Sequence, residues 1–184
     1  LPQTYFEFGC YSGRTFSAAV NAAKYLKMYN CEFFAFDSFR GLPETDETED
    51  GIFKTGEFNT SKKDFIKIIK KNTNLKIYNY HIIDGFYEKS LTDDLRLKMP
   101  KIGMLHIDVD LYSSTTCLLK FVKPLLVNGS LILFDDWYCF KPGIKQNQGE
   151  QKAVKEFLEV NKNIKLLPWK AYSTFGQSFF VDIY

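Results

Sequence analysis

The chain has 184 residues, 45% of them hydrophobic and 25% charged, which is a globular composition with length for one domain around a single sheet. Its 24 basic and 22 acidic residues leave a net charge of +2, too weak a field to indicate a nucleic-acid or membrane-surface partner, and no run of about 18 apolar residues is present to cross a bilayer. The four cysteines form no C-x-x-C pair and stand beside two histidines, which argues against a structural zinc site.

Short β-rich runs alternate with helical periodicity, and this predicts a doubly wound α/β fold with a mostly parallel sheet. The first strand is expected near Thr4–Phe8, followed by a helix that places Phe16, Ala19, Val20 and Ala23 on one face. Cys31–Phe36 (CEFFAF) is the second strand, and Cys10 and Cys31 read as reduced, buried thiols of a cytoplasmic protein. The polar stretch 37–60, containing GLPETDETEDG, is long enough to act as a lid or mobile insertion. Ser61–Lys71 has the pattern of an amphipathic helix with a solvated lysine face.

A third strand is expected at Ile77–Ile83 and a short helix at Glu88–Leu95. Ile102–Ile107 is the fourth strand, leading into a helix with Leu118, Leu119, Val122 and Leu126 that Asn128-Gly129 should terminate. The fifth strand is Ser130–Phe134, and the next helix, near Glu150–Val160, should turn Val154, Phe157 and Leu158 inward. Ile164–Leu167 and Ser178–Tyr184 then close the sheet. The whole chain, 1–184, reads as a single domain. It begins at Leu1 and enters a strand pattern at once, so N-terminal residues are expected to be missing, and no signal peptide is apparent.

Each of the first five strands runs into acidic residues: Glu7, Asp37, Asp84, Asp108 with Asp110, and Asp135 with Asp136. Doubly wound sheets bind ligands outside the carboxyl ends of their strands, so these acids should share a crevice. Acids also cap the helices that follow strands, but five successive strands exceed what capping alone requires. The turn Glu7-Phe8-Gly9-Cys10-Tyr11-Ser12-Gly13 lets backbone approach a ligand, and Asp37 is spaced to grip ribose hydroxyls. A nucleoside-bearing cofactor follows, with NAD still open. The missing middle glycine of G-x-G-x-x-G favours a cofactor without a pyrophosphate.

The second acidic group is His106-Ile107-Asp108-Val109-Asp110 together with Asp135-Asp136. Burying ionised carboxylates side by side is costly, and a hard divalent cation such as Mg²⁺ would relieve the repulsion. His106 reads either as a hydrogen-bonded core histidine or as an outer partner of that site.

Four motifs occur in order: EFGxxxG from Glu7, FDSFRGLPE (Phe36–Glu44), HIDVDLYSST (His106–Thr115) and LILFDDW (Leu131–Trp137). Together they resemble the macrocin O-methyltransferase (TylF-type) family, which methylates sugar hydroxyls on natural products. The resemblance implies a seven-stranded, Rossmann-like class I methyltransferase sheet with helices on both faces and S-adenosylmethionine as donor. It implies cofactor contacts at Glu7, Gly9, Gly13, Asp37 and Ser38, with Asp84, Gly85 and Phe86 on the adenine side. It also implies metal ligation by Asp108, Asp135 and Asp136, with Asp108 as catalytic base and Asp110 either a ligand or a loop support. Two departures stand out: Arg14 where small residues are usual, and Asn128-Gly129-Ser130 where a double glycine is more common. The family's N-terminal helices, which help cover the site and form dimers, have no counterpart in this sequence.

The expected reaction is direct methyl transfer to a hydroxyl of a small molecule, a sugar or a catechol-like phenol, in a possible homo-oligomer. The alternatives are a NAD-dependent oxidoreductase, a phosphotransferase with Asp108 or Asp110 as nucleophile, and a non-catalytic S-adenosylmethionine-binding module.

Overall fold

A computed structural model describes residues 1–45, 53–73, 79–139 and 148–184. Seven strands form one sheet in the order β3-β2-β1-β4-β5-β7-β6. They are β1 (Thr4–Phe8), β2 (Glu32–Asp37), β3 (Asn79–Asp84), β4 (Met104–Ile107), β5 (Leu131–Phe134), β6 (Ile164–Tyr172) and β7 (Gly176–Ile183). The first five pair in parallel. β7 enters antiparallel to both β5 and β6. The expected fold class is the observed one.

The helices are α1 (Arg14–Tyr25), α2 (Lys62–Asn72), α3 (Tyr87–Ser90), α4 (Asp93–Arg96), α5 (Tyr112–Val122) and α6 (Gly149–Val160). Strand alternation sorts the apolar side chains between the two faces of the sheet. Tyr5, Phe33 and Ala35 pack with Phe16, Val20, Phe65 and Ile69 of α1 and α2. Phe6, Phe8, Phe34 and Phe36 pack on the other side with Leu118, Phe121, Val154 and Phe157 of α5 and α6. The Phe8 and Phe36 rings stack across the β1–β2 ladder with centroids 4.2 Å apart. Much of the chain's high aromatic content is therefore core. In α2, Phe65 and Ile69 are buried while the lysines face solvent, as its periodicity required. Ser61 caps it by accepting the Asp64 N–H at 3.1 Å.

Strand ends shift by one or two residues from the sequence reading, and three elements differ by more. The helix expected at Glu88–Leu95 is two short ones, because Thr92 restarts the chain by accepting the Leu95 N–H at 3.2 Å. The helix expected to reach Leu126 stops at Val122 and tightens into a 3₁₀ turn, Lys123–Leu125, where Pro124 has no N–H for an α-helical bond. Asn128-Gly129 instead forms the turn into β5, and Asn128 Nδ2 donates to Ile183 O at 3.1 Å. β6 runs well past Leu167, through Pro168, which an edge strand tolerates. Part of the expected third strand, Ile77 and Tyr78, lies outside the described residues, as does the centre of the 37–60 stretch.

Of that stretch, the described flanks hold each other. Leu42 N donates to Glu57 O at 2.9 Å and Gly56 N to Leu42 O at 3.0 Å. The 37–60 stretch therefore has a hydrogen-bonded base beside the sheet. Among the described residues no helix is long and apolar enough to cross a membrane.

Candidate active site

The sheet changes direction between β1 and β4, and this is where doubly wound folds open a crevice. Backbone bonds carry the ladder one residue past the strand ends. Gly9 N donates to Phe36 O at 3.0 Å, Asp108 N to Phe8 O at 2.9 Å and Asp135 N to Ile107 O at 2.9 Å. The tips of β2, β1, β4 and β5 consequently stand side by side. Gly9 has φ +79° and an added Cβ would lie 1.7 Å from Asp108 O, so no side chain fits between these tips.

A cleft of about 210 Å³ opens there. Gly9, Asp37, Ser38, Gly85 and Phe86 line it, together with Asp108, Val109, Asp110 and Ser114 from the β4 end. Asp37 is held by three backbone N–H groups: Oδ2 accepts from Cys10 at 2.7 Å and Tyr11 at 3.0 Å, and Oδ1 accepts from Phe39 at 2.7 Å. Its carboxylate thus ties the glycine turn to the β2 loop while facing the cleft. Ser38 does similar loop work, donating to Gly41 O at 2.7 Å.

Three residues expected at the cofactor also have partners within the fold. Glu7 is fully buried and bonded to the Tyr5 hydroxyl, and burial pushes its carboxyl well above the usual carboxylate range. Gly13 caps α1 at φ +70°, and an added Cβ would meet Ile69 at 2.9 Å, so its smallness serves the packing of α1 on α2. Asp84 pairs with Arg40 and Lys62, each at 3.7 Å. None of the three lines the cleft.

The acidic group lies against the cleft. Asp108, Asp110 and Asp136 each offer a carboxylate oxygen within 4.8 Å of the others. The expected third ligand, Asp135, is not in this trio; its Oδ1 lies 3.8 Å from Nε2 of the buried His106. Asp110 reaches the trio from a left-handed backbone at φ +59°, a conformation its sequence position did not reveal. Burial, then the neighbouring Asp135, Asp136 and Asp37 carboxylates, push the Asp108 carboxyl up to about 8. Burial and mutual repulsion raise Asp110 and Asp136 as well.

Sequence reading missed two further groups. Glu150 in the first turn of α6 is 1% exposed, and its Oε2 accepts the Asp136 N–H at 3.2 Å. Tyr172 at the end of β6 is raised in pKa by burial and by Asp135, Glu150 and Asp108. His106 Nδ1, Asp136 Oδ2, Glu150 Oε1 and the Tyr172 hydroxyl are all buried without a hydrogen-bond partner. Buried polar atoms are normally paired, so these four are candidates to meet a bound ligand or water.

The profile of the macrocin O-methyltransferase (TylF) family matches residues 2–169. The chain belongs to this family. It is an S-adenosylmethionine-dependent O-methyltransferase, and the oxidoreductase, phosphotransferase and non-catalytic alternatives fall away. No sequence among curated proteins matches it. Among solved structures it is similar to the O-methyltransferase NovP, with 17% identity and a TM-score of 0.75 over 98% of this chain and 72% of that one. The calicheamicin methyltransferase CalS11 is similar at 19% identity and a TM-score of 0.73, with 98% and 72% covered. The O-methyltransferase TomG from Streptomyces achromogenes, solved with S-adenosylmethionine, follows at 10% identity and a TM-score of 0.58 over 98% and 72%. At these identities the likeness is one of fold.

Proposed function

We propose that this methyltransferase acts on a sugar hydroxyl of a small molecule, with a divalent cation such as Mg²⁺ held by Asp108, Asp110 and Asp136 and with Asp108 as the base. One observation carries the reading: Asp108 and Asp110 line the cleft and also belong to the carboxylate trio. A methyl donor in the cleft and a hydroxyl at the acids would therefore meet at these two residues. The sugar acceptor is supported by a similar structure, at 17% identity, that is a TDP-rhamnose 3'-O-methyltransferase of calicheamicin biosynthesis.

The chemistry of the donor set fits a hard cation: it is all oxygen, mutually repelling, and Asp136 keeps one buried carboxylate oxygen unpartnered. When bound, the cation supplies Lewis acidity that makes a coordinated hydroxyl easier to deprotonate. S-adenosylmethionine supplies the methyl group.

The chain's own residues do the rest. Gly9, Asp37 and Ser38 shape the nucleoside end of the cleft, and Gly85 and Phe86 form its far wall. Tyr87, which donates to Phe36 O at 3.2 Å, holds that wall to the β2 tip. Asp108 receives the hydroxyl proton as the new O–CH₃ bond forms and the S–CH₃ bond breaks.

The test is methylation of a nucleotide-linked deoxysugar panel with the native protein, the chelated protein and Asp108→Asn. Loss of turnover in the last two, at unchanged donor binding, is the expected result. Full turnover in both would remove the cation and the base from the mechanism.

A further inference from the structure

Glu150 is placed where a carboxylate is hard to justify as scaffold. It is the second residue of α6 and 1% exposed. Instead of bonding within its own helix it reaches across to the β5 tip, where Oε2 accepts the Asp136 N–H at 3.2 Å. Oε1 is buried and has no partner. Burial, then the Asp136, Asp108 and Asp135 carboxylates, push its carboxyl well above the usual carboxylate range, so its charge is favoured only with a cation nearby. A neutral glutamine would tie the same N–H without burying another negative charge among carboxylates, so tethering alone does not account for the acid. The start of α6 offsets part of this cost through its dipole, and no more than part.

We propose that Glu150 is a positioning residue of the cation pocket: it fixes the main chain of Asp136 and adds a charge behind the trio that strengthens its hold on a divalent cation. The proposal rests on the cation reading above. Glu150 Oε1 and the Tyr172 hydroxyl are buried and unpartnered, and a hydrated cation or its hydroxyl partner would satisfy them. Sequence gave only an acid in a first helical turn, where a simple dipole effect would explain it.

The experiment is Mn²⁺ titration of the full chain by calorimetry and electron paramagnetic resonance, with melting of the chelated protein alongside. Glu150→Gln keeps the volume and an acceptor for the Asp136 N–H and removes only the charge. It is expected to weaken Mn²⁺ binding by about 10–100-fold, the range seen for groups that orient metal ligands. The chelated Tm should stay level or rise, because a costly buried acid has been removed. Glu150→Asp, which keeps the charge and shortens the reach, should bind Mn²⁺ with intermediate affinity. Wild-type affinity in Glu150→Gln overturns the proposal. So does a chelated Tm that falls along with affinity, which is the mark of a scaffold residue. Should the wild-type chain bind no Mn²⁺, the cation reading itself is lost and this inference with it.

Discussion

The two sides of the cleft handle negative charge in opposite ways. On the side of β1, β2 and β3, Asp37 is held by three backbone N–H groups and Asp84 by Arg40 and Lys62. Those carboxylates are already compensated by the protein. On the side of β4, β5 and α6, Asp108, Asp110 and Asp136 face one another, Glu150 stands behind them, and several buried polar atoms have no partner. That side is compensated only when something binds. The difference separates carboxylates that the protein itself satisfies from an acidic pocket that, on the proposed function, a cation and a hydroxyl complete.

Breaking the unfinished side should have the largest effect on turnover. Asp108→Asn keeps shape and removes the proposed base, and a loss of about 10²–10⁴-fold in kcat is expected at unchanged donor affinity. Single-turnover methylation with calorimetry of S-adenosylmethionine binding would show it; a variant that loses donor binding instead would place Asp108 on the wrong side of the comparison.

Breaking the finished side should act through structure. Gly9→Ala sets a Cβ against Asp108 O at a position of φ +79°, so the β1 and β4 tips must part. A stability loss of about 1–3 kcal/mol is expected, together with weakened donor binding. Urea melts and donor titration measure both, and a silent substitution would mean the tips are less tightly joined than described.

The trio itself can be sharpened by pairing Asp110→Asn with Asp135→Asn. Asp110 is within the 4.8 Å group and Asp135 is beside His106, so the first should weaken Mn²⁺ binding more than the second. The reverse ranking would restore the ligand set that the sequence suggested.

A pH series tests the charge balance. Asp108 sits near 8 in the fold against an ordinary value near 4, so between those values the folded chain binds more protons than the unfolded chain. Its stabilising contribution is full below about pH 4 and is lost as pH rises through about 8. The chelated protein should therefore lose Tm from pH 5 to pH 9, and excess Mg²⁺ should restore more Tm at pH 9 than at pH 5. A Mg²⁺ effect independent of pH would contradict a carboxylate site. The smallest change is expected from Asp84→Asn: its pairs with Arg40 and Lys62 are long and partly exposed, worth about 0–1 kcal/mol in all.

Sequence periodicity was enough for the sheet because burial leaves a repeating record. TYFEF, EFFAFD and LILF alternate between two packed faces, and the helices between them carry matching apolar stripes. The motifs FDSFRGLPE, HIDVDLYSST and LILFDDW likewise brought Asp37, Asp108 and Asp136 to notice. What periodicity could not carry is the direction of a side chain once a strand has ended. Glu7 and Gly13 belong to the glycine turn by sequence, yet one is sealed beneath it and the other packs α1 on α2. Asp135 and Asp136 are neighbours in the chain, yet only Asp136 joins the 4.8 Å trio while Asp135 lies beside His106.

The sequence by itself determined the order of strands and helices, the family, and which strand ends carry acids, since all of these are local patterns repeated along the chain. The tertiary structure alone decided which carboxylates converge, because that depends on a left-handed turn at Asp110, on the reach of Glu150 from α6 and on Tyr172 arriving from β6. Those groups are separated by tens of residues, and only closing the sheet puts their charges within range of one another.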